Sequence, residues 1–426
     1  MNLYKNIPFF FKKTLPFVLI LLSFFIPISY KISIYLLDIA IVVWLVSDGW
    51  YKRLANVYIN KVIIFTILFW CITAISLIYS DNIEVGFKKV SLSISLLLIP
   101  FIVSTQWNEI CKYQKYILNA FLIGLILIGL YIIIRAFYFS TFGSSIEYQK
   151  QIGFLPGSGQ SYFFYLIFCY PFHPTYLAMY FNLGIALVAF KIKYSKNIWH
   201  RLLGFLVEIF FVTLIFLASS KAGYLTCIVV SVISLLWLLR HKSRQYVSLI
   251  LIFLIIGFGV LVSKNNRFSS FIFLLDKLNV ANSNSNVTVD DIINSDDAVR
   301  LKIWQTIPSV VGKNWLFGLG IGDVRETLAK AYQEKNMDFA LNKRLNAHNQ
   351  YLETYVGLGL IGLSCLLLIL GSALWQSVRR SDMVFFLFLL IILINFMFES
   401  VLERFFGVLF FVFFLSIFSM REVDSV

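Results

Sequence analysis

Charge is scarce in this sequence. Only 14% of the residues are Asp, Glu, Lys or Arg, whereas a soluble domain carries about a quarter. With 59% of the chain hydrophobic, an ordinary water-soluble domain is excluded. Acids are scarcer than bases, 22 against 36, which leaves a formal net charge of +14. In a soluble protein that excess would suggest nucleic acid, but here the bases fall largely in short loops between apolar runs, where they set membrane topology. No nucleic-acid partner is expected. Cysteine is also sparse: Cys71, Cys169, Cys227 and Cys365 lie in or beside apolar runs and Cys111 in a short loop. No pair has zinc-ligand spacing and no disulfide framework is implied. No tandem repeat of fixed period is visible.

What the chain has instead is long apolar runs. A helix needs roughly 20 residues to cross the hydrocarbon core, and twelve stretches approach that length, near 14–30, 33–49, 62–79, 90–105, 117–138, 174–190, 202–219, 222–239, 246–263, 350–374, 383–398 and 405–420. The first lacks a small-residue cleavage site and another span follows at once, so it reads as a retained helix. Inner loops then carry Lys52, Arg53 and Lys61, Lys191, Lys193, Lys196 and Arg201, and Arg379 and Arg380, while short outer loops hold few bases. The positive-inside rule places both termini in the cytoplasm. The expected fold class is an all-α polytopic membrane protein with about 12 transmembrane helices, nine in 1–263 and three in 349–426. A large outer loop with short amphipathic helices, 264–348, separates them.

That loop contains the linker ANSNSNVTVDD and then Ser295-Asp296-Asp297, a suitable helix start. Arg300, Trp304, Ile307 and Val311 recur at helical spacing, which predicts an amphipathic helix that Pro308 would kink or end. A second short helix is expected from about Asp323, after Gly318, Gly320 and Gly322. The glycine run lacks a preceding strand, so a tight turn explains it better than a phosphate cradle. Asp290-Asp291 and Asp296-Asp297 fit linker and helix-start positions, and no metal or cofactor is expected.

The polar candidates gather at one face. His348 stands at the start of the tenth span, where an interfacial or capping histidine is an equally good reading. Arg344, four residues earlier, would share its helical face if the helix began that early. Arg300 also reads as a snorkelling surface cation. Lys221 lies in Ser219-Ser220-Lys221-Ala222-Gly223, a turn with almost no loop, where a cation in lipid is costly unless it is paired or used. Arg135 near the end of the fifth span has the choice of snorkelling. His173-Pro174-Thr175-Tyr176 opens the sixth span, and a Pro-initiated helix with an interfacial tyrosine accounts for it. Glu399, Glu403 and Arg404 read as a local ion pair at the last outer turn.

Arg300 with Trp304 and Trp315, the glycine turn, and Ala347-His348-Asn349-Gln350-Tyr351-Leu352 followed by Gly357, Gly359 and Gly362 together resemble the signature of the O-antigen ligase and polymerase superfamily. The resemblance implies a GT-C-like glycosyltransferase in the bacterial inner membrane, acting at its periplasmic face, with the large loop between helices 9 and 10 periplasmic. Its implied donor is an undecaprenyl-pyrophosphate-linked glycan, and its acceptor is lipid A-core for a ligase, another carrier-linked glycan for a polymerase, or protein. Carried onto this chain, the family's loop histidine is His348 and its loop arginine Arg300, and Lys221 stands where the turn cation is usually arginine. His348 is then the catalytic base, and Arg300, Lys221 and Arg344 hold the pyrophosphate. His173, Tyr176 and Arg135 are weaker substrate-binding candidates. The expected reaction is inverting and metal-independent, with ligase ahead of polymerase; a secondary transporter is the rival from another class.

Overall fold

The computed structural model describes residues 3–47, 60–142, 162–240 and 296–421. The predicted ninth span, 246–263, and the linker 281–291 lie outside them, so the count of twelve spans stays an expectation. Every regular element among the described residues is helical. In chain order these are α1 (Leu3–Phe25), α2 (Tyr30–Val46), α3 (Lys61–Ile75), α4 (Ile83–Leu92), α5 (Ser95–Ile110), α6 (Gln114–Thr141), α7 (Tyr165–Cys169) and α8 (Pro174–Tyr194). There follow α9 (Ile198–Ala218), α10 (Lys221–Leu239), α11 (Asp296–Val311), α12 (Val324–Glu334), α13 (Asp338–Asn342), α14 (Gln350–Arg379), α15 (Met383–Phe398) and α16 (Phe405–Met420).

Among the described residues, six helical stretches are long and apolar enough to cross a membrane. Apolar side chains also face outward, as Leu202, Leu206 and Ile209 do on α9 and Ile123, Leu127 and Ile134 on α6. Such a belt needs lipid around it, and the chain is an integral membrane protein. At the centre runs α8, buried from Pro174 to Ala189 and packed against α6, α9, α10 and α15. Lipid tails are as apolar as leucine, so helices there associate by close packing and polar contacts. Aromatic rings supply much of that packing: Phe121 meets Phe414 at 4.6 Å and Tyr180 meets Phe410 at 4.7 Å.

Two boundaries differ from the hydropathy reading. The predicted span 90–105 is broken near Ser93, the C-cap of the preceding helix, whose hydroxyl donates to Val90 O at 3.0 Å. Residues 83–92 form the separate helix α4, and the membrane helix restarts at Ser95. In the outer layer, α11 runs through Pro308 to Val311. Its buried stripe is Val299, Ile303, Ile307 and Val311, one residue away from the expected Arg300 and Trp304 at its first turns. Arg300 consequently stands on the flank of the stripe, half-buried.

The glycine run is a docking point. Leu319 N donates to Val356 O at 2.9 Å and Gly320 N to Gly357 O at 3.0 Å, while Leu360 N donates to Trp315 O at 2.9 Å. This cross-pairing is possible because α14 is interrupted at Gly359, with φ +63° and ψ −160°. Asp323 completes the joint: its carboxylate accepts from Asp81 N and Asn82 N, both at 2.8 Å, immediately before α4. Gly318 has φ +76°, and a Cβ there would lie 2.5 Å from Gly359 N. Gly318→Ala is expected to destabilise the folded protein by about 2–4 kcal/mol, from positive-φ strain plus overpacking. A thermal-unfolding midpoint in detergent unchanged from wild type would show that the joint is not constrained.

Candidate functional site

Four helices start around one cavity of about 180 Å³. His173 is the N-cap of α8 and its Nδ1 accepts from Thr175 N at 3.4 Å. Lys221 opens α10 behind its N-cap Ser220, and the Ser220 hydroxyl contacts Thr175 Oγ1 at 3.3 Å, which ties the two starts together. Arg300 lies near the start of α11, and His348 immediately precedes Asn349, the N-cap of α14. All four of these residues line the cavity, with Lys343 and Tyr165. Helix N-termini present unsatisfied N–H groups and the positive end of the dipole, so the cavity suits an anion. Lys221, Arg300 and Lys343 add full positive charges to it.

The motif around His348 is held from every side. Ala347 N donates to Glu353 Oε2 at 2.9 Å, and Ala347 O accepts from Trp304 Nε1 at 2.8 Å. His348 N donates to Asn346 Oδ1 at 3.1 Å. Asn349 Oδ1 caps Leu352 N at 3.0 Å while its Nδ2 donates to Met397 O at 3.2 Å. Gln350 Oε1 accepts from Leu402 N at 2.7 Å. These bonds fasten the start of α14 to the turn after α15 and hold His348 at φ +46°, in the left-handed region. Ser219 (φ +50°) and Tyr165 (φ +57°), also at the cavity, share that conformation. Strained backbone of this kind persists only where its surroundings over-determine it.

Behind His348 stands Glu399, the C-cap of α15 and only 8% exposed. His348 Nδ1 lies 3.5 Å from Glu399 Oε1, long for a hydrogen bond between neutral and charged partners and short enough for an ion pair once the ring is protonated. A carboxylate facing Nδ1 favours the tautomer with the proton there, which leaves the Nε2 lone pair to accept. Burial by itself would raise the Glu399 carboxyl, but the close approach and charge of His348, with His173 and Arg300, outweigh it and hold the group below the usual carboxylate range. His173 is pushed down, first by burial and then by the charges of His348, Arg300 and Arg404, against the opposing pull of Glu399. It is therefore neutral near pH 7.

The structure sorts the sequence candidates. His348, Arg300, Lys221 and His173 meet at the cavity. Arg344 does not line it: it is exposed at φ +45°, and because α14 begins only at Gln350 it shares no helical face with His348. Lys343 takes the place expected for it. Arg135 neither snorkels nor reaches the cavity. It is buried, with its guanidinium donating to the carbonyls of Ile167 and Phe168 at 2.9 and 2.7 Å and to that of Tyr170. Those carbonyls end α7, so Arg135 fixes the segment leading to His173. Tyr176 is buried beside His173, ring centroids 6.1 Å apart, and lies outside the cavity lining.

The expected ion pair within the last outer turn is replaced by longer-range partners. Glu403 bonds Lys89 at 3.0 Å and faces Arg325 at 3.8 Å, and Glu399 serves His348. Sequence reading missed Glu399, Lys343 and Glu353. A signal was present for Glu399, since a carboxylate at the end of a membrane helix is costly without a partner, but the nearby Arg404 supplied an adequate local one.

Because Glu399 titrates lower folded than unfolded, its pairing stabilises the fold above the unfolded value, about 4.3, and this contribution is lost as pH falls through the folded value. Glu399→Gln is expected to cost roughly 1–3 kcal/mol at pH 7, with the gap from wild type closing on acidification. Thermal unfolding across pH 3.5–7.5 checks this (about four units of range around the carboxylate value), and a gap independent of pH would refute the pairing.

No curated protein matches the chain. Residues 206–367, which hold Lys221, Arg300, Lys343 and His348, match the family model described as O-antigen ligase, and it is that family which this part of the chain resembles.

Proposed function

We propose that this protein is a lipid-carrier-dependent glycosyltransferase of the ligase type. It takes a glycan from undecaprenyl pyrophosphate and transfers it to a hydroxyl of lipid A-core, at the periplasmic face of the bacterial inner membrane. The observation that carries this reading is the cavity itself, in which three cations and converging helix starts adjoin a histidine backed by a buried carboxylate. The family match supports it.

In this reading the donor pyrophosphate lies against Lys221, Arg300 and Lys343. The acceptor hydroxyl is within reach of His348 Nε2. As the acceptor oxygen forms its bond to the anomeric carbon, the bond from that carbon to the phosphate oxygen breaks and its electron pair leaves with undecaprenyl pyrophosphate. Cations placed where negative charge develops lower the barrier. The hydroxyl proton passes to His348, and the imidazolium so formed strengthens its contact with Glu399. One direct displacement inverts the anomeric centre. Lysine at 221 offers a rotatable point charge where arginine would offer a fixed fork.

The test is the surface-glycan gel profile of a strain lacking the gene, complemented with wild type or variants. Bare lipid A-core with polymer left on the carrier identifies a ligase, whereas core bearing a single repeat identifies a polymerase. His348→Ala, at normal expression, is expected to lower transfer by about 10²–10⁴-fold and to leave core uncapped. A wild-type ladder from that variant would overturn the assignment. Lys221→Gln is expected to weaken donor use, and Lys221→Arg to retain most of it.

A further inference from the structure

A second cavity, of about 540 Å³, opens at the opposite end of α8 from the His348 site. The two ends of this helix of 21 residues are about 30 Å apart, which is the thickness of the hydrocarbon core. The cavity lies between α6, α8 and α9. Its walls are apolar along the membrane direction, with Leu122 and Ile126 on α6, Leu187 on α8, and Leu203 and Val207 on α9. Its mouth is basic, formed by Lys115 near the start of α6, Lys191 near the end of α8 and His200 near the start of α9.

Two features of the mouth favour an anion. Among the described residues, no acidic side chain lines the cavity and the side chains of Lys115, Lys191 and His200 have no hydrogen-bond or ion-pair partner. Lys115 and Lys191 stand close enough for their charges to oppose each other, and both side chains are exposed at the mouth. The remaining cation, Arg421, is already answered by Asp382 at 2.7 Å. Like charges held together at a membrane surface are destabilising unless an anion joins them. The polar end therefore matches a phosphate, and the apolar walls match the chain attached to it.

We propose that this cavity is a binding site for an anionic phospholipid of the leaflet faced by the lysine-rich loops. The phosphate sits between Lys115 and Lys191, with His200 as a further donor. One acyl chain lies in the furrow between α6 and α9 over Leu187. Basic pockets between membrane helices recognise anionic headgroups in this way. The site is independent of the glycosyl-transfer reading, because it shares no residue with the His348 cavity.

The full chain, purified in detergent and stripped of lipid, is titrated with dioleoyl phosphatidylglycerol, dioleoyl phosphatidylcholine, inorganic phosphate or undecaprenyl phosphate. Bound lipid is counted by native mass spectrometry and thermal stability is followed in parallel. Phosphatidylglycerol is expected to bind at least about fivefold more tightly than phosphatidylcholine and to raise the unfolding midpoint, the scale of one coupling between paired charges. Lys115→Gln with Lys191→Gln is expected to erase that preference while leaving the unliganded midpoint within a degree or two. Leu203→Trp, which fills the furrow from its lipid-facing side, is expected to weaken binding without changing the mouth. Equal binding of the two phospholipids, or a preference that survives the double lysine variant, overturns the proposal. An equal rise in midpoint with inorganic phosphate reduces the site to an anion site, and tighter binding of undecaprenyl phosphate assigns it to the carrier; either result also overturns it.

Discussion

Hydrocarbon gives a polar group nothing to bond to, and the placement of every reactive side chain described above follows from that. Within a membrane helix the backbone satisfies itself, so open donors occur only at helix starts. Four starts are brought together here, and three of them are closed by a side chain that also belongs to the cavity wall or lies next to it: His173 on α8, Ser220 before Lys221 on α10, Asn349 after His348 on α14. The same hydrogen bonds that satisfy the helix ends therefore fix the chemistry. The positive potential of the cavity is in part a by-product of ending helices in a poorly hydrated place.

Charge in the outer layer is organised as a relay of long-range partners. Lys89 on α4 lies between Glu403 at 3.0 Å and Glu353 at 3.9 Å, and Glu353 in turn accepts from Ala347 N at 2.9 Å. Asp323 anchors the segment before α4 from the other side. The short amphipathic helix α4 thus acts as a buttress for the loop carrying His348, although it is far from that loop in sequence. Buried ion pairs contribute little net stability, but removing one partner leaves an uncompensated charge. Their value here is positional.

Hydropathy alone located α15 and α16 to the residue, because nothing polar interrupts them. It failed at Ser93, where one helix ends and the next begins inside a run whose average hydropathy stays high. His348, Arg300 and Lys221 were legible because each is a costly residue in its setting, and the resemblance to a known family pointed to the same three. Arg344 was misjudged because the helix carrying His348 was extended backwards through a segment that takes positive φ twice. Lys343 and Glu353 were out of reach, and the signal at Glu399 was misassigned, for a common reason: each is identified by its surroundings, and these lie in other elements. Arg135 shows the converse. Its burial cost was real, yet its carbonyl partners are those of Ile167, Phe168 and Tyr170, which no residue pattern announces.

The interruption of α14 at Gly359 has a mechanical side. Residues 350–358 are bonded to the glycine run and to the turn after α15, while residues 360–379 run down through the bundle against α3. A continuous helix would transmit the tilting and bending of its lower half to its first turn as a lever does. With its axis broken at Gly359, both halves are clamped to one segment, the upper through Val356 O and Gly357 O and the lower through Leu360 N and Ile361 N, so residues 315–320 set the angle between them. The position of His348 is then referenced to the segment that carries the glycine run.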